Sequence, residues 1–106
     1  MSEYIDYLKE VLHGVGPVTA RRMFGGHGLF YQGRMFALVS DDVLYLKTDA
    51  GNRADFESRA LPPFLYHKQG KPVRLSYHQA PEEILDDPEA ATAWARGAID
   101  AAWRAR

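Results

Sequence analysis

Apolar positions recur at helical spacing near both ends of the chain and alternate at strand spacing between them. Tyr4, Ile5, Leu8, Val11 and Leu12 fall on one side of a helix over Ser2–His13, with Ser2 as its cap and Glu3 in its first turn. Gly14, Gly16 and Pro17 end it. Val18–Ala20 leads into a β region. Phe30-Tyr31, Gln32-Gly33 and Arg34-Met35 read as strand, tight turn and strand, the glycine supplying a positive φ. Met35–Val39 is apolar, Ser40-Asp41-Asp42 turns the chain, and Val43–Lys47 is a further strand. Together these predict a three-stranded meander.

Asp49 or Asn52 caps a short helix running to about Arg59, anchored by Phe56 and stopped by Pro62-Pro63. Phe64–Lys68, Gln69-Gly70 and Lys71–His78 read as a second hairpin. A two-residue turn sets Pro72 opposite His67 at a non-hydrogen-bonded pair. The missing N–H of Pro72 then costs nothing inside the hairpin, and the strand is expected to be a local edge there. Pro81–Leu85 forms a helical turn. Asp86 or Asp87 caps the last helix, with Pro88 near its first position. Ala91, Trp94, Ala95, Ala98, Ile99 and Ala102 form its buried stripe. The order α-β-β-β-α-β-β-α gives an α+β fold of two layers, an antiparallel sheet with helices on one face.

Strand parity sorts the side chains into two sets. Phe24, Gly26, Gly28, Phe30, Met35, Ala37, Val39, Leu44 and Leu46 are expected beneath the helices, with Phe64, Tyr66, Val73, Leu75 and Tyr77 from the second hairpin. The opposite face takes Arg21, Met23, His27, Leu29, Tyr31, Arg34, Phe36, Leu38, Tyr45 and Lys47, joined by Leu65, His67, Arg74, Ser76 and His78. A bulge at Gly25-Gly26 exchanges Arg22 for Arg21 on this face. Arg21, Arg22, His27, Leu29, Tyr31, Arg34, Phe36, Tyr45 and Lys47 are therefore the candidate partner-binding residues. Three readings of such a face stand side by side. One is a half-exposed sheet with basic stems over apolar patches. The second is a protein interface, with a partner or a second copy as a homodimer. The third is a platform for single-stranded nucleic acid.

Composition narrows these. The chain has 106 residues, 46% apolar and 25% charged, which suits one globular domain with its own core. A net charge of −1 disfavours unaided, non-specific nucleic-acid binding. There are no cysteines, so disulfides, thiol catalysis and cysteine-ligated zinc are excluded, in keeping with a cytoplasmic location. Neither a secretory signal nor a membrane-length apolar run occurs.

The chemistry-bearing patterns are weak. Gly25-Gly26-His27-Gly28 resembles a phosphate loop but lacks the Lys-Ser/Thr pair and a following helix. It reads better as strand glycines that admit a close backbone or ring. His27, His67 and His78 lack ligand spacing, so no metal is expected. The acidic pairs Asp41-Asp42, Glu82-Glu83 and Asp86-Asp87 sit at turns and helix starts, and no activated nucleophile is apparent. No enzyme activity and no cofactor are expected.

The segment Arg21-Arg22-Met23-Phe24-Gly25-Gly26-His27-Gly28-Leu29 resembles the defining stretch of the TfoX/Sxy N-terminal domain family. Met35-Phe36-Ala37-Leu38, Leu44-Tyr45-Leu46-Lys47, Ser76-Tyr77 and Pro81-Glu82 extend the likeness from about Tyr4 to Ala102. His27 stands where an aromatic residue is common. The resemblance implies a secretion-chaperone-like two-layer fold and a regulatory binding module in natural competence and transcription. It implies no catalytic residues. Competence regulators of the family carry a second, helical C-terminal domain, and this chain is expected to be a single N-terminal-like domain over 1–106. The expected mechanism is protein–protein contact, with direct DNA binding through the basic–aromatic face as the alternative.

Overall fold

Leu8, Leu12 and Ala95 reach zero exposure because the two amphipathic helices press their apolar stripes onto one face of the sheet. The computed structural model describes residues 3–23 and 25–105. The expected cap Ser2 and expected core residue Phe24 lie outside them. Helix α1 spans Glu3–Val11 and is followed by a 3-10 turn at His13–Val15. Four strands follow: β1 (Thr19–Met23), β2 (Gly26–Tyr31), β3 (Arg34–Ser40) and β4 (Val43–Lys47). Helix α2 is short, Arg53–Glu57. Strands β5 (Pro63–Lys68) and β6 (Lys71–Gln79), a 3-10 turn at Glu82–Leu85 and helix α3 (Pro88–Arg104) complete the chain. The class is α+β with the expected order of elements. The stretch ahead of Leu29 is resolved into two strands, β1 and β2, rather than one.

The sheet is antiparallel throughout, in the order β1-β2-β3-β4-β6-β5. Its tight turns carry positive φ at both central residues: Gln32 and Gly33, Asp41 and Asp42, Gln69 and Gly70. That is the turn whose twist matches paired strands. Strand β4 pairs with β6 only at Tyr77–Gln79, so the Pro72 end of β6 has β5 alone beside it. Pro72 faces His67, and the missing donor falls on a free edge as expected.

Face assignment departs from strict alternation. Leu29 pairs with Ala37 while Phe30 pairs with Met35, which leaves Phe36 as an extra residue on β3. At this bulge Phe36 and Ala37 both point to the helices, each with zero exposure. Leu29, Phe36, Ala37, Val39, Leu44 and Leu46 therefore make the sheet side of the main core. Leu29 and Phe36 were expected on the opposite face, and their burial corrects that. Phe64 and Tyr77, expected beneath the helices, instead join Leu38 in a second cluster, with Met35, Tyr45, Tyr66 and Leu75 packed around it.

The loop after β4 is tied to both layers. Asn52 Nδ2 donates to the Lys47 carbonyl at 3.0 Å, and its Oδ1 accepts from Asp49 N at 2.8 Å. Asn52 thus holds the loop rather than capping α2 through its side chain. Asp87 does cap α3, accepting from Glu89 N at 3.0 Å and Ala90 N at 3.3 Å. Arg104 at the end of α3 grips Asp49 with Nε at 2.6 Å and Nη2 at 2.8 Å. These bonds hold the Asp49 carboxyl at about 2, below its ordinary 3.8.

Phe36→Ala removes a ring of zero exposure and is expected to cost about 3–5 kcal/mol in urea unfolding. Leu65→Ala, at 49% exposure, stays within about 0.5 kcal/mol. The depressed Asp49 carboxyl contributes stability that is fully present above 3.8 and lost as pH falls toward 2. Asp49→Asn is expected to flatten that part of the stability–pH curve, read from urea midpoints at pH 5 and pH 2.

Candidate functional site

The defining glycine segment builds the hairpin of β1 and β2. Gly25 has φ of +75°, and Met23 pairs with Gly26 across the reversal. Gly26 is required by backbone contact: a Cβ there would lie 1.9 Å from the Val39 carbonyl oxygen. Gly28 serves side chains instead. Its missing Cβ makes room for Met23 Sδ, Met35 Sδ and the Phe30 ring, at 2.5, 3.0 and 3.2 Å from where that atom would sit. The expectation that these glycines admit a close backbone and ring is met at both positions.

The reversal sets Arg22 opposite His27 and Arg21 opposite Gly28. Arg22 thus shares the helix-side face with His27 and Leu29, while Arg21 turns to the helix-free face. On the helix side, β1 and α1 leave a half-open groove of 770 Å³. Ile5, Lys9, Ala20, Arg22, Met23 and His27 line it, with Gly25 and Gly26 at its end. Lys9, Arg22 and His27, from three different elements, therefore border apolar walls.

The nine expected contact residues are divided among four places. Arg22 and His27 line this groove. Leu29 and Phe36 are in the core. Arg21 lies over the Phe30 ring at 5.2 Å, Lys47 over Tyr77 at 5.2 Å, and Tyr45 meets Phe64 edge-on at 4.9 Å, all on the helix-free face. Tyr31 packs beside Gly16, and Arg34 stacks on Trp103 of α3 at 4.3 Å, both on the helix side. Burial of the Tyr77 ring pushes its hydroxyl up to about 12.

A second polar region was missed in the sequence. His78 is only 2% exposed and lies against the Phe56 ring. Its Nδ1 is 2.9 Å from Thr48 Oγ1, whereas Nε2 is buried without a hydrogen-bond partner. An orphan of this kind costs about 1–3 kcal/mol. Burial is the main cause of its lowered pKa; Arg74 and Arg53 lower it further and Glu57 opposes them. The alternation that put His78 with surface histidines did not register that β6 passes under α2. Among the described residues no group of three His, Asp or Glu is placed to hold a metal ion. No helix among them is long and apolar enough to cross a membrane.

The arrangement defines a two-layer α+β domain with one open sheet face and a cationic groove at one sheet edge. The chain belongs to the TfoX N-terminal domain family, whose model matches residues 10–102. It is 32% identical over 77 residues to Protein Sxy of Escherichia coli (strain K12), covering 72% of this chain and 36% of that protein. It is 29% identical over 85 residues to DNA transformation protein TfoX1 of Aliivibrio fischeri (strain ATCC 700601 / ES114), covering 80% of this chain and 39% of that one. The matched region therefore spans well under half the length of either relative.

Gly26→Ala is expected to destabilise the fold by about 1–3 kcal/mol, because backbone on both strands must move. Gly97→Ala in α3, where a Cβ meets nothing within 4 Å, is expected to stabilise it by about 0.5–1 kcal/mol. Paired thermal melts of the two variants check both signs.

Proposed function

We propose that the chain is a non-enzymatic regulatory binding module serving DNA transformation, and that it acts through protein–protein contacts at the groove between α1 and the β1–β2 hairpin. The groove carries the reading. Lys9, Arg22 and His27 offer hydrogen-bond donors beside Ile5 and Ala20, which suits a protein segment that combines carboxylates with apolar side chains. Arg22 and His27 fall in the glycine segment that carries the resemblance to the family. The chain's net charge of −1 makes the Lys9 and Arg22 charges a local feature rather than part of a general basic field.

Self-association is the other form of protein contact. Continuing the sheet through β1 would bring Arg21 and Arg22 toward the same pair in a second copy, and β5 begins with a proline. Both edges are poor templates for strand addition, so the groove is the better contact surface.

A photo-crosslinking residue placed at Lys9 in cells is expected to capture a discrete protein other than the chain itself. Arg22→Glu should reduce that capture about tenfold or more, and a crosslinker at Leu65 should not reproduce it. Crosslinks only between copies, matched by a dimer in sedimentation, would replace this reading with self-association. Salt-sensitive DNA binding at ~50 mM salt, abolished by Arg22→Glu with no protein captured, would replace it with the nucleic-acid reading.

A further inference from the structure

Strand β6 outruns its neighbour. Pairing with β4 ends at Tyr77 opposite Lys47, and β6 continues back to Lys71 with only β5 beside it. Helix α2 lies over the vacated flank. Between them is a half-open recess of 410 Å³ bordered by Thr48, Arg53, Glu57, Arg74, Ser76 and His78. Arg74, Ser76 and His78 alternate along β6 and so project to one side, toward α2. Thr48 closes the floor from the end of β4, its N–H donating to the Ser76 carbonyl at 2.9 Å.

The lining has the donors of an oxyanion site. It holds two guanidiniums, two hydroxyls and an imidazole against one carboxylate. That carboxylate, Glu57, stands 3.9 Å from Arg53 across one turn of α2, both side chains being about half exposed, so the pair neutralises little. Arg74 makes no ion pair among the described residues. Two guanidiniums from different elements, bordering one recess with hydroxyls, match a tetrahedral oxyanion better than a single planar carboxylate. The volume exceeds what one ion fills and leaves space for a small attached group.

We propose that this recess binds a phosphate group, with Arg74 and Arg53 as its cationic ligands and Ser76 as a hydroxyl donor. The site is separate from the groove between α1 and the β1–β2 hairpin, and it does not depend on the role proposed there. His78 reports on it from beneath. Nε2 is enclosed, so the anion acts on the ring through space rather than by contact. Arg74 and Arg53 lower the pKa of this imidazole and Glu57 raises it; a bound phosphate offsets the two arginines and raises it.

The test is a titration of the intact chain with inorganic phosphate, followed through the His78 imidazole resonances, with sodium chloride at matched ionic strength as the control. Saturable shifts are expected, with the His78 pKa raised at saturation. Arg74→Ala, at an exposed position that leaves the core intact, should weaken phosphate binding about tenfold or more. Arg74→Lys should recover part of it, because charge returns without the fork. A repeat with glycerol phosphate separates the two sources. Tighter binding than inorganic phosphate assigns the site to a phosphomonoester, and equal or weaker binding assigns it to the free ion. Shifts no larger than those in chloride, or an Arg74→Ala variant that binds phosphate like the parent, would overturn the proposal.

Discussion

The extra residue at Phe36 is the constraint on which the rest of the sheet depends. A strand sends successive side chains to opposite faces, so one additional residue exchanges every position beyond it. Here the exchange lets Phe36 and Ala37 enter the main core together. On the hairpin side of the bulge, Phe30 and Met35 are left on the helix-free face. On the other side, Val39, Leu44 and Leu46 reach the helices. Without it the β2–β3 turn would have to present Met35 to the helices and Phe36 to the open face. Arg34 could not then lie on Trp103, nor Tyr31 beside Gly16.

That exchange also explains why the sheet is apolar on both sides. The helix side is closed by α1, α3 and the two 3-10 turns. The other side keeps a smaller cluster, where Phe64 and Tyr77 cover Leu38 down to 1% exposure. The aromatic residues that suggested an interface are thus largely engaged within the chain. Tyr45 meets Phe64, and the rings of Phe30 and Tyr77 lie under Arg21 and Lys47. A face that reads as an unpartnered patch in one dimension is in good part a second core.

Elements and order were legible because each is bounded by local chemistry: the Gly14–Pro17 stop, the paired turn residues, the Asp87 cap with Pro88. The edge character of β6 at Pro72 was legible for the same reason, since a missing N–H constrains pairing wherever it occurs. Faces were not legible. Phe36 and Ala37 are both apolar, so no polar residue marks the slip between them. The reversal around Gly25 was hidden likewise, because a glycine run is compatible with a bend within one strand and with a turn between two. The position of His78 depended on which strand lies beneath α2, and sequence alone does not set the register between the two hairpins.

Where the sheet stops is where both polar openings occur. At one end β1 is an outer strand whose backbone pairs only with β2, and α1 stands off it to leave the groove with Lys9, Arg22 and His27. At the other, β4 ends at Lys47 while β6 runs on, and α2 bridges the step over Thr48, Ser76 and His78. The helix-side positions of the central strands are filled largely by core. Arginine suits these edges physically: its stem covers apolar surface while its head stays in water, and its charge discourages a second sheet from pairing there. A cation that first protects an edge is also free to meet an anion arriving from outside. That makes Arg22 and Arg74, which make no ion pair among the described residues, more informative about binding than Arg104 or Arg59, whose charges are already met by Asp49 and Glu83.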